Sequence, residues 1–486
     1  MPTPRISARW ARTSRFAEYH AWMIDEALAQ RVLAEATKSG GEWAEIFVED
    51  RRTTNALLDD GRVEEMTSGR SRGAGIRVVF GETTGFAHTA DLSEASLLQA
   101  AAAAGAVARQ GGGGVKTVAF SPRTAPAPNG VAVLPESIGK AEKVALLQRA
   151  NEAARSQGNA IVQVSAGYGD SRRRILVANT DGVWATDDQV RSLFRVSAVA
   201  NGDGGMQTGY ESNGFMIGWE FFDRIDVEEM GRNAANQALR KLVARPAPSG
   251  EVPVVIKQGS GGVMFHEACG HGLEADLVSK GASVFKDRVG QQVASALVTL
   301  VDTATMADEW GSFTFDDEGH PAGHNTLIQD GVLTDYMWDH LRSRKLGHAQ
   351  SGNGRRQSYQ HLPMVRMTNT FVKAGTTDPD AIVRDTAHGV YIAKLSGGQV
   401  NTATGDFVFG MSEAYLIENG EITHPLRDGN LIGNGPQVLM NIDVLGNDFA
   451  MGPPGMCGKD GQGVPVGDGQ PTLRVPVGLS IGGTAA

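Results

Sequence analysis

Gly259-Ser260-Gly261-Gly262-Val263-Met264-Phe265-His266-Glu267-Ala268-Cys269-Gly270-His271 joins a short apolar strand to a helix, and what surrounds it decides the fold class. Just upstream, Val254-Val255-Ile256 belongs to a run over residues 252–256 apolar enough for a buried strand. No Gly-Lys-Ser/Thr follows the glycines, so they read as a tight strand-to-helix connection rather than a phosphate loop. From there to the C-terminus, short alternating runs are separated by Gly, Pro and Asn. Asp330-Gly331 and Asn419-Gly420 are hairpin signals, because both residues of each pair tolerate positive φ. Upstream, Arg245-Pro246-Ala247-Pro248-Ser249-Gly250 reads as a domain boundary.

Before that boundary, apolar periodicity predicts helices over residues 23–38, 92–109, 140–156 and 227–243. Short strands are expected at 45–48, 55–58, 161–165, 174–178, 182–186 and 193–200, with Asp60-Gly61 as a turn. Residues 76–80 and 85–88 form an antiparallel pair across Gly81, and 111–135 is a surface connection. Strands and helices do not alternate strictly, so the class is α+β. The expected organisation is an N-terminal α+β domain with an antiparallel sheet (25–245), then a β-rich C-terminal domain (251–486) carrying the histidine helix.

With 486 residues, two domains are the default. A net charge of −10 argues against nucleic acid as a partner. No apolar run reaches the roughly 18 residues of a membrane span. The two cysteines, Cys269 and Cys457, exclude a disulfide framework and suit a reducing compartment, so a cytoplasmic location is expected. Residues 1–24 carry Arg5, Arg9, Arg12 and Arg15 without an apolar segment; they read as a basic, disordered tail and not a secretory signal.

The ordinary zinc-protease helix places its histidines four apart; here His266 and His271 are five apart. On a regular α-helix that separation is about 140° around the axis, too far to share an ion. A widened, π-type turn of about 4.4 residues returns them to within roughly 50°. Gly270 lowers the cost of leaving helical geometry. Glu267 then lies beside His266, free to act on a water. Catalytic zinc normally takes three protein ligands. Cys269, Glu274, Asp276 and Cys457 are the candidates for the third, and spacing alone ranks Glu274 slightly above Cys457. Lys459 would favour the Cys457 thiolate.

The segment from His266 to Asp276 closely resembles the HExxxH signature of the TldD/PmbA family of metallopeptidases. Further blocks carry the resemblance: Ser351-Gly352-Asn353-Gly354-Arg355-Arg356-Gln357-Ser358-Tyr359, Arg366-Met367-Thr368-Asn369-Thr370, Met456-Cys457-Gly458-Lys459, Asp60-Gly61-Arg62-Val63-Glu64 and Gly75-Ile76-Arg77-Val78. The resemblance implies His266, His271 and Cys457 as ligands of one Zn2+ per chain, with Glu267 as general base toward a metal-activated water. It also implies a catalytic member that pairs with a metal-free paralogous subunit, cleaving extended or unfolded peptides in a closed chamber; a homodimer is the other expected assembly. A β-rich catalytic domain suits a substrate held as an added strand. Arg355, Arg356, Tyr359 and Asn369 are candidate substrate or oxyanion contacts.

Other residues read more plainly. Cys269 is a small buried apolar residue. Glu274 and Asp276 are either partners of the histidines or helix-end acids. His320 and His324 are surface loop residues, Asp316-Asp317-Glu318 a solvated acidic turn, and Arg172–Arg174 a solvated strand edge. Two other functions remain open at this point: a non-catalytic regulatory or binding subunit, and a zinc amidohydrolase acting on a small amide.

Overall fold

The computed structural model describes residues 23–108, 114–203 and 205–483. The basic tail up to residue 22, the expected helix end at 109 and residues 111–113 of the connection lie outside these. The chain opens with α1 (Glu26–Thr37), whose first turn is capped by the Asp25 carboxylate accepting from Leu28 N–H. Strands β1 (Trp43–Asp59), β2 (Arg62–Phe80) and β3 (Thr83–Thr89) follow, then α2 (Glu94–Gly105) and the two-residue β4 (Ser121–Pro122). Next come α3 (Lys140–Arg155), β5 (Ile161–Asn179), β6 (Val183–Gly202), β7 (Gly205–Phe215) and α4 (Val227–Leu242). The strands form one seven-stranded sheet in the order β3-β2-β1-β5-β6, with β4 and β7 also paired to β6. Every pairing is antiparallel except that of β4.

The separate short strands expected from the pattern are continuous: 45–48 and 55–58 lie in β1, 161–165 and 174–178 in β5, 182–186 and 193–200 in β6. Each long strand crosses two cores. Ile46 and Val48 pack with α1 and α2, whereas Ala56 and Leu58 pack with α3 and α4. Between the cores the strand sequence turns charged, which breaks the apolar alternation without breaking the strand. The charged stretches lie opposite each other, with Asp50 facing Arg174, Arg51 facing Arg173 and Arg52 facing Arg172. Arg172–Arg174 is therefore not a solvated edge: β5 is interior, between β1 and β6. Asp50 accepts from Arg70 at 2.8 Å and Arg174 at 2.5 Å, and Arg172 pairs with Asp188 at 2.7 Å.

The C-terminal half contains a ten-stranded and a second seven-stranded sheet, which share one continuous apolar core. Val254–Ile256 runs between His388–Val400, to which it is parallel, and Leu473–Val475. Both hairpin dipeptides adopt positive φ, Asp330-Gly331 at 49° and 83° and Asn419-Gly420 at 56° and 78°. Met264, Phe265, Cys269 and Leu273 fix the histidine segment into this core.

Asp316-Asp317-Glu318, expected in solvent, is buried against the N-terminal sheet. Arg173 reaches Glu49 at 2.6 Å and Asp317 at 2.8 Å; Arg77 reaches Glu318 at 2.7 Å and Glu45 at 3.3 Å. Arg356 pairs with Glu45. This ionic seam ties the sheet of residues 43–215 to the half that holds the histidines. No helix among the described residues is long and apolar enough to cross a membrane.

Candidate metal centre

The helix Gly262–Phe265 widens into a π turn over His266–Gly270, closed by His271 N–H donating to the His266 carbonyl. That is the five-residue bond the histidine spacing calls for. The two imidazoles stand with ring centroids 5.1 Å apart and planes at 86°. Gly270 contributes differently from its sequence reading: its backbone is helical, at φ −54° and ψ −53°, so conformational freedom is not needed. A Cβ there would collide with the Met367 sulfur, so glycine serves close packing of the turn on the core.

Cys457 arrives on the hairpin of Gly455–Lys459 and Gln462–Gln470, which turns at Asp460-Gly461 with φ of 49° and 74°. Arg366, fully buried, clamps that hairpin by donating to the carbonyls of Cys457 at 2.5 Å and Gln462 at 3.1 Å. The Cys457 Sγ stands 3.3 Å from His271 Nε2. Donor atoms of His266, His271 and Cys457 all lie within 4.8 Å of one another. Glu267 is next to them, its Oε2 3.8 Å from His271 Nε2.

The surrounding charges orient these donors. His271 Nδ1 donates to Glu274 Oε2 at 2.9 Å, which leaves Nε2 facing the sulfur. Glu274 is thus a partner of the histidine on its far side rather than the third member of the cluster. Burial alone would raise the Glu274 carboxyl, but His271 and Lys459 hold it down at about 2. Lys459 does not serve the thiolate as expected; its ammonium is taken by Glu274 at 2.9 Å, Asp276 at 2.8 Å and the Val365 carbonyl. Burial likewise opposes ionisation of Cys457, and the His266 and His271 imidazoles overcome it, bringing the thiol down to about 4. Cys269 shows the contrast: its thiol donates to the Phe265 carbonyl, and burial pushes it up to about 12.

The residues fit a metal ion. Both ring nitrogens of His266 are buried without a hydrogen-bond partner among the described residues, an arrangement that costs about 1–3 kcal/mol per orphaned group unless something binds there. Two imidazoles and a readily ionised thiol form a donor set suited to zinc.

Residues 44–108, 134–242 and 249–483 match the models for domain 1, the central domain and the C-terminal domain of the PmbA/TldA metallopeptidases. A metalloprotease TldD homolog from Buchnera aphidicola is 38% identical over 452 residues, covering 91% of this chain and 93% of the relative. The TldD homolog of Haemophilus influenzae is also 38% identical, over 455 residues, with the same coverage. The chain belongs to the TldD/PmbA metallopeptidase family. Solved structures share the fold. A proposed modulator of a DNA gyrase from Thermotoga maritima superposes with a TM-score of 0.78 at 23% identity, over 94% of this chain and all of that one. TldE from Thermococcus kodakarensis gives 0.74 at 17% identity, over 94% and all of each chain respectively.

Within this TldD/PmbA chain the remaining candidates have the following partners. Asn369 spends its amide on the Thr303 carbonyl, Ser312 Oγ and Gly311 N–H. Tyr359 packs among Phe47, Ile175 and Val177. Arg356 belongs to the ionic seam, while Arg355 donates to the carbonyls of Met367 and Pro465 and edges a cavity. His320 bonds the Pro321 carbonyl, and His324 is exposed on a strand. Two residues near the centre escaped the sequence reading of their roles. Arg366 lay inside a recognised block, but no pattern marks a clamp on a distant hairpin. Asp468 is buried, and burial pushes its carboxyl up to about 7, against His266 and with Glu267; nothing local in the sequence signals it.

Proposed function

We propose that this chain is a zinc-dependent peptidase acting on extended or unfolded peptides, with His266, His271 and Cys457 as zinc ligands and Glu267 as general base. The observation that carries the reading is the convergence of three buried donor atoms, one on an imidazole without a hydrogen-bond partner, beside a half-buried carboxylate. Zinc held there supplies a Lewis acid that activates water and polarises the scissile carbonyl. Glu267 takes the proton of the attacking water and returns it to the leaving amine. Glu274 holds His271 in the tautomer whose Nε2 lone pair points into the site. Arg366 keeps Cys457 at its station through the backbone. Substrate lies as an added strand, read through main-chain hydrogen bonds. The chain works in the cytoplasm, with a metal-free paralogous subunit or a second copy of itself; denaturing mass spectrometry of the subunits in the complex purified from its host separates the two.

The deciding experiment is Glu267→Gln. Incubated with an unfolded polypeptide and followed by mass spectrometry, the variant loses about 10²- to 10⁴-fold in rate while atomic absorption finds its zinc retained. Cleavage at the parent rate would remove Glu267 from its assigned role.

A further inference from the structure

A cavity of about 260 Å³ lies between the long N-terminal strands and the hairpin that carries Cys457. Five arginines line it against two aspartates. Three of the five are paired: Arg51 with Glu49, Arg173 with Glu49 and Asp317, and Arg356 with Glu45. Asp170 is taken by Lys143. Arg191 and Arg355, both buried, have no carboxylate within 4.0 Å among the described residues.

Their partners are neutral. Arg191 donates to the carbonyls of Trp310 and Ser312, each at 2.8 Å, and to Gln189 Oε1 at 3.0 Å. Arg355 donates to the carbonyls of Met367 at 2.6 Å and Pro465 at 2.7 Å, and lies over the Phe313 ring. A guanidinium has five N–H groups, so Arg355 and, even with a further contact to Met216 Sδ at 3.8 Å, Arg191 retain donors. Burial, together with Arg355 and Arg173, brings Arg191 down to about 9. Burial brings Arg355 down to about 10, with Asp317 too weak to offset it. Two buried guanidinium ions with no carboxylate in contact, only Asp187, Asp317 and Asp302 at longer range, are costly, and an anion entering the cavity relieves that cost.

The position of the cavity says what kind of anion. Met456 and Val464 form part of its wall; Met456 adjoins Cys457 in the chain, and Val464 is the cross-strand partner of Cys457. The volume admits one side chain or a chain end, and is too small for a folded partner. We propose that Arg191 and Arg355 are a substrate-recognition pair that seats a peptide carboxylate, from an acidic side chain or the C-terminus, next to the metal centre. This inference rests on the peptidase reading but is tested without hydrolysis.

The probe is a fluorescent heptapeptide made with Glu or Gln at one position, each as free acid and as C-terminal amide. It is titrated by anisotropy against the full-length, zinc-loaded Glu267→Gln protein at low salt. The expected result is at least about tenfold tighter binding of a carboxylate-bearing peptide than of its neutral counterpart. The Glu–Gln arm reports a side-chain source and the acid–amide arm a terminal one. Arg191→Gln and Arg355→Gln should each pull the ratio toward one. Arg191→Lys, which keeps the buried charge, should also lower it because the forked geometry is lost. Equal binding of charged and neutral peptides, or discrimination that survives both Gln substitutions, overturns the proposal. Selective binding by the Glu267→Gln protein together with no hydrolysis by the zinc-loaded parent enzyme would sink the peptidase reading alone; hydrolysis by the parent enzyme that is blind to carboxylates would sink this one alone.

Discussion

Two buried polar clusters in this chain are balanced in opposite ways. Along the seam, Glu45, Glu49, Asp317 and Glu318 face Arg77, Arg173 and Arg356, and each of these carboxylates takes at least one guanidinium. At the metal centre the buried donors converge on one another, and the nitrogens of His266 have no hydrogen-bond partner. The first cluster is closed in charge, although Arg77 Nε and Arg356 Nε and Nη1 find no acceptor among the described residues; the second is open toward a single point. Buried charge by itself therefore marks neither function nor stability here. Ligand atoms of three residues converging on one point, instead of each being matched by an opposite charge, mark the functional site.

The comparison can be broken in several places. The largest effect is expected for Cys457→Ala, which removes one of three ligands: zinc after dialysis should fall from about one ion per chain to near none, with the fold retained. A variant that keeps its ion by atomic absorption would mean that the open cluster is not a zinc site.

Next in size is Asp317→Asn, which leaves Arg173 with Glu49 alone and the seam one negative charge short; it should cost about 3 kcal/mol in urea unfolding, leaving zinc content unchanged. Its pH dependence has a definite sign. Burial would raise the Asp317 carboxyl, but Arg173 and the Arg356 backbone and side chain hold it below its ordinary value of 3.8. Its contribution is then full above the unfolded value and is lost as pH falls through the lower folded one. The deficit of the variant should persist from about pH 7 to about pH 5 and narrow only below about pH 4.

Glu274→Gln asks to which cluster this carboxylate belongs. As the partner of His271 it should weaken zinc binding about 10- to 100-fold in a chelator competition, with a smaller change in unfolding. The smallest effect is expected for Cys269→Ala, about 1 kcal/mol with zinc unaltered, since that thiol only fills core and bonds a carbonyl. Loss of zinc in this variant would reassign the ligands.

The open cluster was more legible in the sequence than the closed one. A five-residue histidine spacing has one helical solution, and the turn at His266–Gly270 adopts it. Asp330-Gly331 and Asn419-Gly420 carry their conformation in their own chemistry. The seam could not be read because its partners are far apart in the chain: Arg77 meets Glu318 across 241 residues, and Arg356 meets Glu45 across 311. Viewed locally, Asp316–Glu318 is a polar turn and Arg172–Arg174 a break in apolar alternation, although both are interior. The same blindness divided β1, β5 and β6 into short pieces. Lys459 was misjudged for a related reason, since two acids on the histidine segment claim it before the thiol can.

The seam also sets how the molecule comes apart. A fragment beginning after residue 249 would keep Asp317, Glu318 and Arg356 while losing Arg173, Arg77 and Glu45, leaving several ions without counter-ions on a face that the N-terminal sheet had covered. Separating the two sheet systems breaks all of these pairs at once, so heating should produce one shared endotherm rather than two.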